Sequence, residues 1–235
     1  MMKRASQPQP DPAAFIKANL PISPVASIPE ILLHQAGPAS GLWRLAGRGD
    51  ADPAPYWAYP WAGGAVLARH LLDRPETVAG RHVLDLGAGS GLVAIAAAKA
   101  GAAMVTAVDI DANAITAIGL NAEINGVNIA AIAADIIDGP PPVLDLLLVG
   151  DLFYHPALAL RVMAFLRRCR AAGIEVLIGD PERAYLPQRE LRRIATHAVA
   201  DFGMGTGGGA VQAGVFSLSA TAGEAAKREG PAAAA

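Results

Sequence analysis

Apolar residues between positions 61 and 178 follow two alternating spacings, which predict helices and strands in turn. Short uninterrupted apolar runs are typical of strands buried on both faces of a sheet, whereas apolar residues three and four apart are typical of helices. The runs predict strands at 81–86, 104–108, 129–134, 144–149 and 174–178. The helical spacing predicts helices at 65–72, 92–100, 112–125 and 156–170.

The C-terminal part is predicted to depart from this alternation. A last helix is predicted at 187–196, followed by strands at 197–202 and 210–218 that the glycine-rich segment 203–209 joins. Such a short connection favours an antiparallel hairpin. The whole pattern predicts an α/β fold with a Rossmann-like, doubly wound sheet of about seven strands, mostly parallel, with helices on both faces.

Proline and glycine content divides the chain into three predicted parts. Residues 1–54 are predicted to form an N-terminal extension that packs on the core, and 55–220 the main domain. Residues 221–235 are predicted to be a disordered tail, and residues 1–10 are also expected to be disordered.

The extension shows weaker local patterns than the main domain. Its prolines are expected to break regular structure, and they are Pro21, Pro24 and Pro29. Three short elements are still predicted there. They are a helix at 13–19 capped by Asp11, a strand at 30–34 and a short strand at 42–45.

Composition excludes several classes of function. Much of the 53% hydrophobic content is alanine, and no uncharged apolar run reaches the ~18 residues of a membrane span. A net charge of −2 gives no electrostatic case for nucleic-acid binding, and the clustered arginines at 161–193 are interpreted as solvated helix faces. Residues 1–12 lack the apolar centre of a signal peptide. A cytoplasmic location is therefore expected, with weak organellar targeting as the open alternative.

Metal-based and nucleophilic chemistry are also not predicted. Cys169 is the one cysteine, which excludes an internal disulfide framework and a cysteine-based zinc site. The five histidines have no metal-ligand spacing, and no serine–histidine–carboxylate arrangement can be read from the order of residues. Cys169 is expected to be a small buried hydrophobic residue.

The densest motif spans positions 83–92, Val-Leu-Asp-Leu-Gly-Ala-Gly-Ser-Gly-Leu. It predicts a buried strand, a sharp turn at Gly87, Gly89 and Gly91, and a helix whose N-terminus is directed at a bound group. A turn of this kind at the carboxyl ends of parallel strands builds a nucleotide-sized pocket. By itself, such a turn is equally compatible with a dinucleotide.

Two residues favour S-adenosylmethionine over a dinucleotide as the occupant. The dinucleotide motif has glycine or alanine five residues after its first glycine, where this chain has the bulky Leu92. Asp85 lies two residues before the first glycine. A carboxylate there repels a pyrophosphate but suits the cationic amino and sulfonium groups of the methyl donor. S-adenosylmethionine is therefore the predicted cofactor.

Three further residues are predicted to contact the donor, each with an open alternative. Asp109 ends the second strand of the main domain and is placed to accept both ribose hydroxyls, or to cap the next helix, for which Asp111 is better placed. Asp135 is placed for the adenine amino group or is a plain turn carboxylate. Trp61 either covers the donor or belongs to the core.

The segment from Gly150 to Pro156 is predicted to lie beside the methyl group of the donor. Gly150 is assigned to the donor pocket. Asp151 is predicted to hold an acceptor amine and orient its lone pair, while Phe153 and Tyr154 exclude water around the cationic centre. The neighbouring histidine at position 155 is a candidate base or simply a residue at the start of a helix.

With these segments assembled, the chain resembles the seven-strand protein lysine methyltransferases, and among them most the electron transfer flavoprotein β-subunit lysine methyltransferases. The resemblance covers about residues 55–218. It rests on the segments Tyr56–Gly64, Arg69–Leu72, Gly150–Tyr154 and Ile178–Pro181.

The resemblance also implies roles for single residues. Asp151 and Tyr154 match the Asp/Glu-x-x-Tyr/Phe motif that lines the lysine channel of the family. Asp180 and Arg183 match a Gly-Asp-Pro loop beside the acceptor. His155 departs from relatives that carry an acidic residue at this position.

The activity implied by the resemblance is that of an S-adenosylmethionine-dependent protein-lysine N-methyltransferase whose protein partner is the flavoprotein β subunit. No nucleic-acid or membrane partner is expected, and a monomer is favoured. Two alternatives stay open: a small-molecule amine N-methyltransferase, and a catalytically silent module that binds the donor or a flavoprotein. Asp151 argues against the silent module, because a scaffold needs no carboxylate at the methyl end.

Overall fold

The structure, a computed structural model, describes residues 11–45, 54–201 and 209–219. The predicted tail at 221–235, the N-terminal ten residues and most of the glycine-rich segment 203–209 lie outside the described residues. The helices are α1 Pro12–Asn19, α2 Ala62–Asp73, α3 Leu92–Lys99, α4 Ala112–Asn125 and α5 Pro156–Ala171. The strands are β1 Ile22–Val25, β2 Ile28–His34, β3 His82–Leu86, β4 Met104–Asp109, β5 Ala130–Ala133, β6 Leu146–Gly150, β7 Glu175–Asp180, β8 Leu191–Ala200 and β9 Ala210–Leu218.

The described residues form one seven-stranded sheet and a separate two-stranded sheet. The strand order in the large sheet is β5-β4-β3-β6-β7-β9-β8. Strands β3 to β7 pair in parallel, and β9 runs antiparallel to both β7 and β8. The predicted Rossmann-like fold with a C-terminal antiparallel hairpin is thereby confirmed. All five parallel strands end at the same edge of the sheet.

The central strands β3, β6 and β7 are buried on both faces because their side chains alternate between two cores. In β6, Leu146 and Leu148 face the core built with α2 and α3, whereas Leu147 and Val149 face the core built with α5. Helix α4 packs on the same side as α3, through Ile118. Successive side chains of a strand point to opposite faces of the sheet. An uninterrupted apolar run therefore supplies apolar side chains to both cores.

The predicted helix at 187–196 is wrong. Only Gln188–Glu190 is helical, as a single 3-10 turn, and β8 begins at Leu191. Its residues pair with β9 from Leu191 opposite Leu218 to Ala200 opposite Ala210, with one register shift. Long-range pairing at the edge of the sheet overrides the local helical spacing.

Two predictions for the extension are also wrong. The stretch at 42–45 is a 3-10 helix, Leu42–Arg44, rather than a strand. Prolines do not break the chain at β1, where Pro24 pairs opposite Leu32 in an antiparallel ribbon with β2. A two-stranded ribbon tolerates proline because each strand has a free edge that needs no N–H donor.

Two asparagines of α4 attach this ribbon to the main domain. The side-chain oxygen of Asn121 accepts the His34 N–H at 2.8 Å, and its amide donates to the Ser90 carbonyl at 2.8 Å. Asn125 accepts the Leu32 N–H at 3.1 Å and donates to the Leu32 carbonyl. These bonds satisfy backbone groups that the ribbon cannot pair itself.

Within the described ranges, no helix is both long and apolar enough to cross a membrane. The same ranges hold no group of three or more histidine, cysteine or acidic side chains suited to a metal ion. Cys169 lies on the buried face of α5, and burial raises the pKa of its thiol to about 11.

Candidate active site

A cavity of about 490 Å³ opens at the edge of the sheet where the parallel strands end. Nine residues singled out from the sequence line it. They are Trp61, Gly87, Gly89, Asp109, Asp135, Gly150, Asp151, Tyr154 and Arg183. Four others do not line it. They are Asp85, Gly91, Phe153 and Asp180.

The strand order arranges these residues in a row. Asp135 follows β5, Asp109 ends β4, Gly87 follows β3 and Asp151 follows β6. Neighbouring strands lie about 4.8 Å apart, so Asp109 and Asp151 are placed on opposite sides of the glycine turn. One end of the cavity thus belongs to β4 and β5, and the other to β6 and β7.

The glycine turn has a backbone that other residues rarely adopt. The φ angles of Gly87, Gly89 and Gly91 are +67°, +52° and +81°. A Cβ on Gly87 would lie 2.7 Å from the Leu152 side chain. The turn is therefore both left-handed and tightly packed, which explains why glycine is needed there.

Asp109 connects the glycine turn to α4. Its carboxylate accepts the Gly89 N–H at 2.8 Å and the Asp111 N–H at 2.9 Å. A carboxylate has about four acceptor positions, and Asp109 lines the cavity, so it can also accept bonds from a ligand there. Asp111, and not Asp109, caps α4 by accepting the Asn113 N–H. Burial raises the pKa of Asp109.

Asp85 lies behind the glycine turn. It is 1% exposed and accepts the backbone N–H of Ala94, in the first turn of α3, at 3.0 Å. Burial raises its pKa to about 7. This carboxyl anchors the helix that follows the turn, and its direct contact with a donor stays a prediction.

The β4–β5 end of the cavity contains an arginine that pairs with two carboxylates. Asp135 accepts a bond from Arg161 at 2.8 Å, and Arg161 also pairs with Asp138. Apolar side chains surround this pair, among them Ile110 and Leu158. Sequence reasoning missed Ile110 and Arg161 as lining residues, although an apolar residue directly after a strand-end carboxylate was an available signal.

At the other end, Asp151 is held by two segments. Its Oδ1 accepts bonds from Arg183 Nε at 2.7 Å and Arg183 Nη2 at 2.5 Å. Its Oδ2 accepts the Gly64 N–H at 3.0 Å. Asp151 also has a φ of +57°, which is costly for a residue other than glycine. Burial raises the pKa of this carboxyl, and the charge of Arg183 opposes that shift.

Glycines at positions 63, 150 and 179 allow α2 to approach the sheet closely. A Cβ on Gly63 would collide with the Gly179 carbonyl, and a Cβ on Gly179 would collide with the Gly63 carbonyl. A Cβ on Gly150 would lie 2.9 Å from Gly64 Cα. One side of this contact between α2 and the sheet is therefore the glycine pair after Trp61. The other side is formed by the glycines that precede Asp151 and Asp180.

Two residues that were predicted to contact the acceptor lie beneath the surface of the cavity instead. Phe153 is 0% exposed and belongs to the core under α5. Asp180 is also fully buried; its Oδ1 accepts the Arg183 N–H at 2.7 Å and its Oδ2 has no partner. Burial raises the pKa of Asp180 to about 7. Asp180 therefore shapes the loop that carries Arg183 to Asp151.

Aromatic side chains form the mouth of the cavity. Tyr154 is half-exposed, and its ring centroid lies 5.6 Å from that of Tyr56. Trp61 packs against Tyr56 at 5.9 Å, and its indole N–H donates to the Tyr56 carbonyl at 2.8 Å. Arg183 lies 5.9 Å from the centroid of the Trp61 ring. Tyr56 and Trp57 also line the cavity, and although they belong to the segment Tyr56–Gly64, the sequence predicted no binding role for them.

The charges of the cavity suit a cationic ligand. Its lining holds four carboxylates, on Asp109, Asp111, Asp135 and Asp151, and two guanidinium groups, both of which are paired with carboxylates. This excess of negative charge disfavours a pyrophosphate. S-adenosylmethionine carries a sulfonium and an ammonium group, and the volume and charge of the cavity fit it.

Comparison with known proteins places these features in a family. Residues 67–142 match the model of the ribosomal protein L11 methyltransferase (PrmA) family. The chain is 42% identical to the electron transfer flavoprotein β-subunit lysine methyltransferase of Danio rerio, over 74% of this chain and 68% of that protein. The protein of the same name from Homo sapiens is 40% identical over 74% of this chain and 68% of the relative.

A solved structure supports the same fold. The chain is similar to the 16S rRNA N2 methyltransferase RsmC of T. thermophilus, solved in complex with AdoMet and guanosine. The TM-score is 0.53 and the sequences are 21% identical, over 86% of this chain and 50% of that chain. This likeness concerns the arrangement of helices and strands.

Proposed function

Because the chain belongs to the electron transfer flavoprotein β-subunit lysine methyltransferases, we propose that it methylates lysine side chains of the flavoprotein β subunit. S-adenosylmethionine is the methyl donor. The observation that carries the proposal is the position of Asp151, a buried carboxylate at the β6 end of a cavity that is otherwise suited to the donor. A cytoplasmic location stays a prediction.

The donor would be held mainly from the β3–β5 side. Asp109 retains acceptor positions for a pair of ribose hydroxyls, and Gly87 and Gly89 leave space for close approach of the backbone. Ile110 and Leu158 supply apolar contacts for the adenine, beside Asp135. When bound, S-adenosylmethionine supplies an electrophilic methyl group on a positively charged sulfur.

The acceptor would be held from the β6–β7 side. A lysine ammonium must first lose a proton to solvent, after which its lone pair attacks the methyl carbon while the electron pair of the C–S bond passes to sulfur. Asp151 attracts and orients this amine, and Arg183 favours the ionised form of Asp151. Tyr154 and Trp61 exclude water from the opening. These contributions are positioning and electrostatics, without a covalent enzyme intermediate.

A labelling experiment tests this proposal. The protein is incubated with methyl-labelled S-adenosylmethionine and either purified flavoprotein β subunit or a protein-free extract of small metabolites. Label in lysines of the β subunit supports the proposal. Label that enters only low-mass amines would instead assign a small-molecule N-methyltransferase, and donor binding without transfer would assign a silent module.

A further inference from the structure

Three aromatic rings surround the mouth of the cavity, and for one of them, Tyr56, the sequence predicts no role in binding. Tyr154 follows Asp151, and Trp61 precedes the glycine pair of α2. Tyr56 lies earlier, in the 3-10 helix Tyr56–Ala58. All three residues line the cavity together with Asp151. The Tyr56 ring centroid lies 5.6 Å from that of Tyr154 and 5.9 Å from that of Trp61.

We propose that Tyr56 is a substrate-binding residue that forms, with Tyr154 and Trp61, the aromatic wall along which the acceptor lysine reaches Asp151. We call these three residues the aromatic wall. The inference rests on the proposed function, because it assigns one side of the acceptor site in the same reaction.

Burial is the first reason to choose Tyr56. Phe153 was expected to contact the acceptor, but it is 0% exposed and packs in the core. Tyr56 and Tyr154 are each 49% exposed although they are large apolar rings in contact. Paired exposed aromatic rings at the mouth of a cavity contribute little to folding and are typical of a binding surface.

The chemistry of lysine gives the second reason. Its four-carbon chain gains from apolar contact, and its cationic end is attracted to the faces of aromatic rings. The Asp151 carboxylate lies in the same cavity as the aromatic wall. The cavity therefore offers apolar contact to the lysine side chain and a negative charge to its amine.

The wall is also held in place before any substrate binds. The Trp61 indole N–H donates to the Tyr56 carbonyl at 2.8 Å, which fixes the Trp61 ring against the Tyr56 backbone. Trp61 is further packed against Tyr59 at 5.9 Å. Such preorganisation lowers the entropic cost of ordering a flexible lysine side chain.

Steady-state kinetics with the flavoprotein β subunit test the inference. Tyr56→Leu is expected to raise the KM for this acceptor at least ~10-fold and to change the Kd for S-adenosylmethionine less than ~3-fold. Tyr56→Phe keeps the ring and is expected to recover most of the loss. Trp43→Leu is the control, because Trp43 is 76% exposed and does not line the cavity. An unchanged KM in Tyr56→Leu, or an equal loss in donor affinity, would overturn the inference.

A binding probe separates this inference from the proposed function. If the wild-type protein transfers no methyl group to the β subunit, the proposed function fails, and Tyr56 is judged by binding alone. The probe is Nα-acetyl-Nε-trimethyllysine amide, measured by tryptophan fluorescence, with the uncharged norleucine analogue as reference. We expect wild type to bind the cation at least ~5-fold better than the analogue, and this preference to be at least ~2-fold smaller in Tyr56→Leu, where Asp151 still attracts the cation. No preference in wild type, or an equal preference in Tyr56→Leu and wild type, contradicts the inference.

Discussion

Asp151 and Arg183 form an ion pair in which two guanidinium nitrogens approach the same carboxylate oxygen, at 2.7 Å and 2.5 Å. The pair joins the end of β6 to the loop after β7 and closes one side of the cavity. Gly64 at the start of α2 donates to the second oxygen at 3.0 Å. Asp151 therefore both shapes this side of the cavity and presents negative charge to an incoming amine.

Asp151→Asn should separate charge from shape at this position. The amide keeps the size and an acceptor for Gly64 but removes the charge that pairs directly with Arg183, which then keeps Asp201 and Asp180 as acidic neighbours. We expect kcat/KM for methyl transfer to fall at least ~100-fold, with donor affinity changed less than ~3-fold. The free energy of unfolding is expected to fall by up to about 3–5 kcal/mol, as for one partner removed from a buried pair.

Asp73→Asn is the matched control for this variant. Asp73 pairs with Arg69 at 2.7 Å, but its side chain is 45% exposed. Loss of such a surface pair should change the free energy of unfolding by less than ~1 kcal/mol and leave transfer unaffected. Full methyl transfer by Asp151→Asn would show that the carboxylate has no part in the reaction.

Asp109→Ala should weaken donor binding. The variant removes the predicted acceptor of the ribose hydroxyls and releases the Gly89 N–H. We expect a loss of about 1–3 kcal/mol in the binding free energy of S-adenosylmethionine, measured by calorimetry. Asp11→Ala, which removes the cap of α1 outside the cavity, should bind the donor as wild type does. Equal affinities in Asp109→Ala and wild type would contradict the ribose role.

Adjacent glycines in α2 should respond in opposite ways to alanine. Gly63→Ala places a Cβ against the Gly179 carbonyl and 2.6 Å from Asp151 Oδ2, so we expect a loss of about 1–3 kcal/mol in the free energy of unfolding. Gly64→Ala meets only Val93 at 3.8 Å, and should be neutral or stabilising by up to ~1 kcal/mol. Urea unfolding of both variants measures the difference. Equal stabilities would show that α2 does not need this close approach.

The buried carboxyl of Asp180 should make stability depend on pH. Burial raises its pKa from 3.8 to about 7, so the folded state binds this proton more tightly than the unfolded state. Its contribution to the free energy of unfolding therefore decreases as pH rises from about 4 to about 7. As the pH rises from about 5 to about 7, the free energy of unfolding of Asp180→Asn should increase by about 2 kcal/mol relative to that of wild type. A difference that stays constant over this range in urea unfolding would contradict the pKa shift.

The central parallel strands β3, β6 and β7 were predictable because they are buried on both faces and are largely apolar in sequence. The first half of strand β8 was not, because residues 191–196 lie at the edge of the sheet and their alternation is too weak to distinguish a strand from a helix. Its conformation depends on pairing with β9, from Leu191 to Ala200, which no local pattern encodes. Pro24 was expected to break regular structure, but it lies in β1, where the free edge of a two-stranded ribbon needs no N–H donor.

From the sequence, the residues at strand ends could be placed at the cavity, but the direction in which a loop side chain points could not be predicted. Asp109 and Asp151 follow β-strand ends that open into the cavity, so position alone placed them. Phe153 is only two residues beyond Asp151, yet its side chain turns into the core. Tyr56 lies in a short 3-10 turn without periodicity, and only the fold brings it beside Tyr154.

Mass spectrometry of the purified flavoprotein β subunit, after incubation with this protein and S-adenosylmethionine, tests the central claim most directly. Peptide fragmentation should locate added methyl groups on lysine side chains with wild type and show them strongly reduced with Asp151→Asn. An unmodified β subunit, or methyl groups on residues other than lysine, would contradict the account.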